Sequence, residues 1–156
     1  MTNTQPAYIA GPMRGYPRFN FDSFNKAGRK LDEWGYQTVF NPAAADLAAG
    51  FNPDISIPVT KAAMAEFMKR DCDFIVNKAE VMFMLPGWER STGASAEHAM
   101  AKWKMITIRY FNADLTDAGD QPMIAEDVLE EALRITRGDR QNQYGPPDQD
   151  FQRTAD

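Results

Sequence analysis

Residues 81–103, VMFMLPGWERSTGASAEHAMAKW, constrain the fold more than any other stretch of the chain. The five apolar residues at 81–85 have the length and unbroken hydrophobicity of a parallel strand buried on both faces. Ala96, Ala99, Met100 and Trp103 then recur at three-to-four-residue spacing, which predicts a helix with an apolar face. Between them, Pro86, Gly87, Ser91, Thr92 and Gly93 are turn formers that continue neither element. Strand, loop and helix in this order put Glu97 in the first turns of the helix, at the carboxyl end of a strand. Open α/β sheets hold their ligands there, which makes Glu97 the leading candidate for a catalytic carboxylate.

The remaining chain supplies the other layers. Residues 7–10 form a short apolar run that stops at Gly11-Pro12, the expected first strand. The loop at 11–17 brings glycines, rigid prolines and Arg14 just past the strand end. It can offer backbone N–H groups to an anion, although a tight turn with a surface arginine explains the pattern equally well. Neither GxGxxG nor GxxxxGK[ST] is present, which excludes the dinucleotide and P-loop fingerprints. Phe21, Phe24, Ala27, Leu31 and Trp34 repeat at helical spacing behind a cap at Asn20, with Gly35 as the stop. Residues 36–40 read as a second strand ended by Asn41-Pro42, completing a right-handed βαβ unit.

Residues 43–58 contain Gly50, Pro53 and Pro58 and are expected to form an extended loop that covers a pocket. From Val59, the positions Ala62, Ala63, Phe67, Phe74 and Ile75 predict one long helix or two consecutive ones. Asp71 and Asp73 lie in that segment, where carboxylates most often form a solvated face. Residues 105–110 read as a fourth strand, and 112–122 as a polar loop with room for a short fifth. Residues 123–135 are amphipathic, with Ile124, Val128, Leu129, Ala132 and Leu133 on one face. The glutamates there, Glu126, Glu130 and Glu131, read as a solvated face rather than a metal cluster. The order of elements points to a doubly wound, Rossmann-like α/β sheet of four to five mostly parallel strands, with helices on both faces. Residues 1–136 are read as one domain and 137–156 as a polar tail with little core of its own.

Composition narrows the partners. A net charge of -5 disfavours a nucleic-acid polymer, which requires clustered Lys and Arg. One cysteine, Cys72, and one histidine, His98, leave no intrachain disulfide, no cysteine cluster for zinc and no expected metal or cofactor. No run approaches the roughly 18 apolar residues that span a bilayer, and the amino terminus lacks the pattern of a signal peptide. The expected location is therefore cytoplasmic, away from membranes.

A glutamate early in a helix can simply complement the macrodipole, contributing about 0.3 to 1 kcal/mol. Here, however, Ser91, Thr92, Gly93 and Ser95 place hydroxyls and backbone N–H groups beside it, donors that suit a phosphate or a sugar hydroxyl. His98 points about 100° around the helix from Glu97 and is expected to be packed or solvated. Cleavage at an anomeric carbon needs only carboxylates: one attacks or stabilises an oxocarbenium-like centre while another protonates the leaving group. Asp71 or Asp73 could be the second group.

Residues 8–15, YIAGPMRG, with Asn41-Pro42, the block LPGWERSTGA at 85–94 and Glu97, together resemble the DUF4406 family of phages and prophages. That family is similar to the nucleoside 2-deoxyribosyltransferases and the 2'-deoxynucleoside 5'-monophosphate N-hydrolases. The resemblance implies a flavodoxin-like fold, a homodimer or higher homo-oligomer, and a small-molecule deoxynucleotide substrate. It makes Glu97 a nucleophile toward C1' and gives Ser91, six residues earlier, a hold on the 5'-phosphate. It also lines the base and sugar pocket with Tyr8, Gly11, Met13, Arg14 and Gly15, and sets Gly87, Trp88 and Gly93 against the substrate. Asp71 is the implied aspartate that orients sugar or base, with Asp73 in reserve, and Glu80 has no role. The Trp88-Glu89-Arg90 insert departs from the characterised enzymes. In the tail, Gly138-Asp139-Arg140, residues 143–146 and Asp150-Phe151 resemble the opening of phage MazG-like nucleotide pyrophosphohydrolases, a truncated segment without their metal-binding helices. The alternatives to N-glycosidic cleavage are a non-catalytic nucleotide-binding module and a phage–host interaction protein.

Overall fold

A computed structural model describes residues 2–55 and 58–122. Five strands, β1 (Ala7–Ala10), β2 (Val39–Phe40), β3 (Val81–Met84), β4 (Thr107–Phe111) and β5 (Ala118–Gly119), form one sheet in the order β2-β1-β3-β4-β5. The first four are parallel and β5 runs antiparallel to β4. Four helices cover it: α1 (Phe21–Glu33), α2 (Pro42–Ala48), α3 (Lys61–Asn77) and α4 (Thr92–Lys104). The expected α/β architecture is therefore present, and the order places the topological switch between β1 and β3, whose register runs from Ala7↔Val81 to Ala10↔Met84.

Alternation along the strands divides the core in two. Ala7, Ile9, Val81, Phe83 and Leu85 face α1, where Phe21, Phe24, Ala27 and Leu31 are buried. Tyr8, Ala10, Met82 and Met84 face the other way, onto Phe74 and Ile75 of α3 and Ala101 of α4. Each of the larger apolar side chains contributes about 1.5–3 kcal/mol through burial.

Several local expectations are corrected. Residues 43–58 do not form a continuous loop, since they begin as α2. Asn41 caps that helix by accepting from the backbone N–H groups of Ala43 and Ala44, Pro42 fits its first turn, and alanines continue it. Asn20 does not cap α1 through its side chain. It sits at φ 61 at the end of a 3-10 turn with Arg18 and Phe19 also left-handed, and its amide donates to the Pro12 carbonyl at 2.8 Å. The second strand shrinks to two residues, with Tyr36 making only an isolated bridge to Asn3. Of the two arrangements expected after Val59, the single long helix is the one present: α3 is continuous and is capped by the Thr60 hydroxyl.

The buried face of α4 is rotated from expectation. Ala94, His98 and Ala101 point inward at the same helical spacing, and the two alanines let the helix lie close to the sheet. Trp103 is 88% exposed instead of buried, and Ala96 and Ala99 also face outward. Met105, at φ 61, closes the helix, so the fourth strand starts at Thr107. The short β5 lies within the segment that had room for it. The helix expected over 123–135, the tail at 137–156 and the boundary at 136 fall outside the described residues. Among the described residues, no helix is long and apolar enough to cross a membrane.

Candidate active site

The site grows out of the switch point. Gly11 follows β1 and packs so closely on the end of β3 that an added Cβ would lie 2.7 Å from the Leu85 Cβ. The Leu85 N–H donates to the Ala10 carbonyl at 2.8 Å, fixing the two strand ends together. Above them opens a cavity of about 310 Å³. Gly11, Met13 and Arg14 line it from the β1 loop, Asp71 and Cys72 from α3, and Ser91, Gly93 and Glu97 from the start of α4. Phe19, Phe51 and Phe67 give it aromatic walls, with Phe19 and Phe51 edge-to-face at 5.1 Å.

Glu97 stands at the floor. As a residue it is partly exposed because its stem borders the open cavity, but protein atoms surround its carboxyl group closely. That burial raises its pKa to about 8; the Tyr8 hydroxyl, donating to Oε2, opposes the rise, while the charge of Asp71 adds to it. Tyr8 is fully buried in β1, and burial together with neighbouring Glu97 pushes its own pKa well up, so it remains a protonated donor.

Asp71 is the second carboxyl in the cavity, with a pKa raised to about 6 by burial against the opposing pull of Arg70. Arg70 Nε and Nη2 reach Asp71 Oδ1 at 2.9 and 2.7 Å, and Nη2 also reaches Asp46 Oδ1 at 2.7 Å. Asp46, in α2, is itself buried and lines the same cavity. Arg14 donates from Nη2 to the Met64 sulfur at 3.1 Å. Ser91 caps α4 by accepting from the Ala94 N–H at 3.2 Å, and the first turn of that helix, with Thr92 and Gly93, lines the cavity.

Thus Tyr8, Gly11, Met13, Arg14, Asp71, Ser91, Gly93 and Glu97 line one cavity. Gly15, Gly87 and Trp88 do not line the cavity. Gly15 adopts φ 80 in its turn. Gly87, at φ 87, lies under Tyr16, whose hydroxyl would be 2.5 Å from an added Cβ. Trp88 stacks on His98 at 4.1 Å, and His98 Nε2 is 2.8 Å from the Tyr110 hydroxyl. The departure at Trp88-Glu89-Arg90 is thereby a 3-10 turn whose tryptophan packs on the inward-facing His98 beside the second core cluster, and His98 is packed rather than solvated. Asp73 is exposed and accepts from Asn77, away from the cavity.

Asp46, Arg70 and the aromatic walls escaped the sequence reading. The cap-and-proline pair Asn41-Pro42 ahead of an alanine run was the available signal for α2, which carries Asp46. Among the described residues, no three His, Cys, Asp or Glu side chains are grouped to hold a metal ion.

No curated protein and no solved structure matches the chain. A family model does match, over residues 5–110, a span that contains every residue converging on the cavity from β1, α2, α3 and α4. The chain therefore belongs to the family described as Domain of unknown function (DUF4406).

Proposed function

We propose that the protein cleaves the N-glycosidic bond of a 2'-deoxynucleoside 5'-monophosphate, as a relative of the nucleoside 2-deoxyribosyltransferases. The observation that carries this reading is the pairing of Glu97, held by Tyr8 at the cavity floor, with a second carboxyl, Asp71, in the same cavity. Glu97 attacks C1', forming a glycosyl ester as the bond to the base breaks. The bonding electrons leave on the base, which takes a proton from Asp71. Water then cleaves the ester, giving hydrolysis, or a second base attacks it, giving transfer. The start of α4, with Ser91 and Gly93, and the cation Arg14 suit the 5'-phosphate. Phe19, Phe51 and Phe67 offer ring faces to the base.

At neutral pH the two carboxyls together hold about one proton, and with values of about 8 and about 6 it rests on Glu97. Positive charge developing at the sugar carbon favours ionised Glu97, and the proton then belongs on Asp71. The rate is therefore expected to follow a bell between about pH 6 and about pH 8. Exposed Met68, Val76 and Trp103 on α3 and α4 support self-association into a homodimer or larger homo-oligomer. The MazG-like likeness of the tail adds no activity to this reading.

The test is incubation with a panel of deoxynucleosides and their 5'-monophosphates, with chromatography of released base. Free base is expected from monophosphates and is expected to fall roughly a thousandfold or more in Glu97→Gln. Thermal stabilisation by a monophosphate without any released base would instead make the pocket a nucleotide-binding module.

A further inference from the structure

We infer that Arg70 is a positioning residue that holds Asp71 toward the cavity, and that Asp46 divides its charge so that Asp71 can keep a proton. This rests on the reading of Asp71 as the leaving-group acid. The guanidinium stands between two carboxylates on different helices, with Nη2 2.7 Å from Asp46 on α2 and 2.7 Å from Asp71 on α3. Its carbon lies 5.6 Å from the centre of the Phe40 ring and 5.3 Å from that of Phe67. Phe40 in turn stacks on the Tyr8 ring at 5.4 Å. Two ion pairs and two ring contacts therefore fix one planar group, a geometry a lysine ammonium cannot reproduce.

The network also joins the layers of the fold. α2 packs with α1 on one side of the sheet and α3 with α4 on the other, and Arg70 closes the gap across the end of β2. Burial is the largest influence on Asp71 and outweighs the pull of Arg70, and the charge of Asp46, which engages the same guanidinium, adds to the rise. The other groups around Asp71 are Glu97 on α4, Tyr8 on β1 and the neighbouring Cys72, whose thiol burial pushes up, while Arg14 lines the same cavity from the β1 loop. Arg70 touches both aspartates, so the two variants below act on Asp71 with opposite sign.

The experiment is a carbon-13 carboxyl titration of the ligand-free full chain labelled in aspartate, with the Asp71 signal assigned by its loss in Asp71→Asn. Arg70→Gln is expected to raise the Asp71 midpoint and Asp46→Asn to lower it, each by roughly one pH unit. Arg70→Lys is expected to fall between Arg70→Gln and the wild type. The acid limb of kcat against pH, which the lower of the two values sets, should move in the same directions. Midpoints that move the same way in both variants, or by less than about 0.3 pH unit, overturn the inference. If Arg70→Gln does not fold, Asp46→Asn decides alone, because it retains the arginine and must still lower the midpoint. Opposite displacements without any released base would uphold the positioning role and reject the glycosidase reading. Base release with unmoved midpoints would do the reverse.

Discussion

The two faces of the central sheet are made by alternate residues of the same strands, yet they do different work. On the α1 side, Ile9, Val81, Phe83 and Leu85 belong to an apolar cluster, and Trp34, Phe83 and Phe111 pack as a ring cluster with centroids 5.6–6.3 Å apart. On the α3–α4 side, Tyr8 is equally buried but ends in a hydroxyl that donates to Glu97, and His98 reaches Tyr110. One face gains most of its stability from an apolar cluster; the other accepts the cost of buried polar groups around Glu97. The chemistry thus depends on single-residue register: one step along β1 separates the core residue Ile9 from the site residue Tyr8.

That contrast can be broken most sharply by exchanging the insults. Glu97→Gln should nearly abolish base release while circular dichroism stays close to wild type and the unfolding midpoint at pH 6 does not fall below it. Phe83→Ala should do the opposite in kind, destabilising the chain by about 3–5 kcal/mol in denaturant titration. A functional loss in Phe83→Ala should then scale with the unfolded fraction.

The pH dependence of stability sharpens the comparison further. Glu97 titrates near 8 in the folded chain and near an ordinary carboxyl value when unfolded, so the folded form binds the extra proton between those limits. Stability from this group is full at low pH and is lost as pH rises from about 4.5 to about 8. Over those limits the loss amounts to about 5 kcal/mol, and Glu97→Gln should remove that part of the slope while Asp71 retains a smaller one of the same sign. Urea titrations at several pH values measure both. The smallest effect is expected at the helix cap: Ser91→Ala should cost about 1 kcal/mol, with a rise in KM for monophosphates larger than that for nucleosides.

Much of this was legible in local pattern. The buried run at 81–85, the spacing of Phe21, Phe24, Ala27 and Leu31, and the turn chemistry around Gly11 and Gly87 each reflect forces that act within a few residues. Glu97 could be placed because strand, loop and helix follow one another directly. Where the reading failed, distant contacts decided. Small residues at 94 and 101 set the face of α4, leaving Trp103 outside despite its apolar spacing. Nothing near Arg70 in the chain shows that its second partner is Asp46, 24 positions earlier. Gly50 and Pro53 drew attention from the Asn41 cap and the alanines that make α2.

The contact of Gly11 with Leu85 has a practical consequence for anyone reshaping this pocket. Because no space the size of a methyl group separates the two strand tips, larger ligands cannot be admitted by altering the floor without prying the sheet apart. Room must come from the opposite wall, where Phe19 and Phe51 belong to connecting segments and can be trimmed, so the reacting end of any ligand stays fixed while its far end is open to redesign.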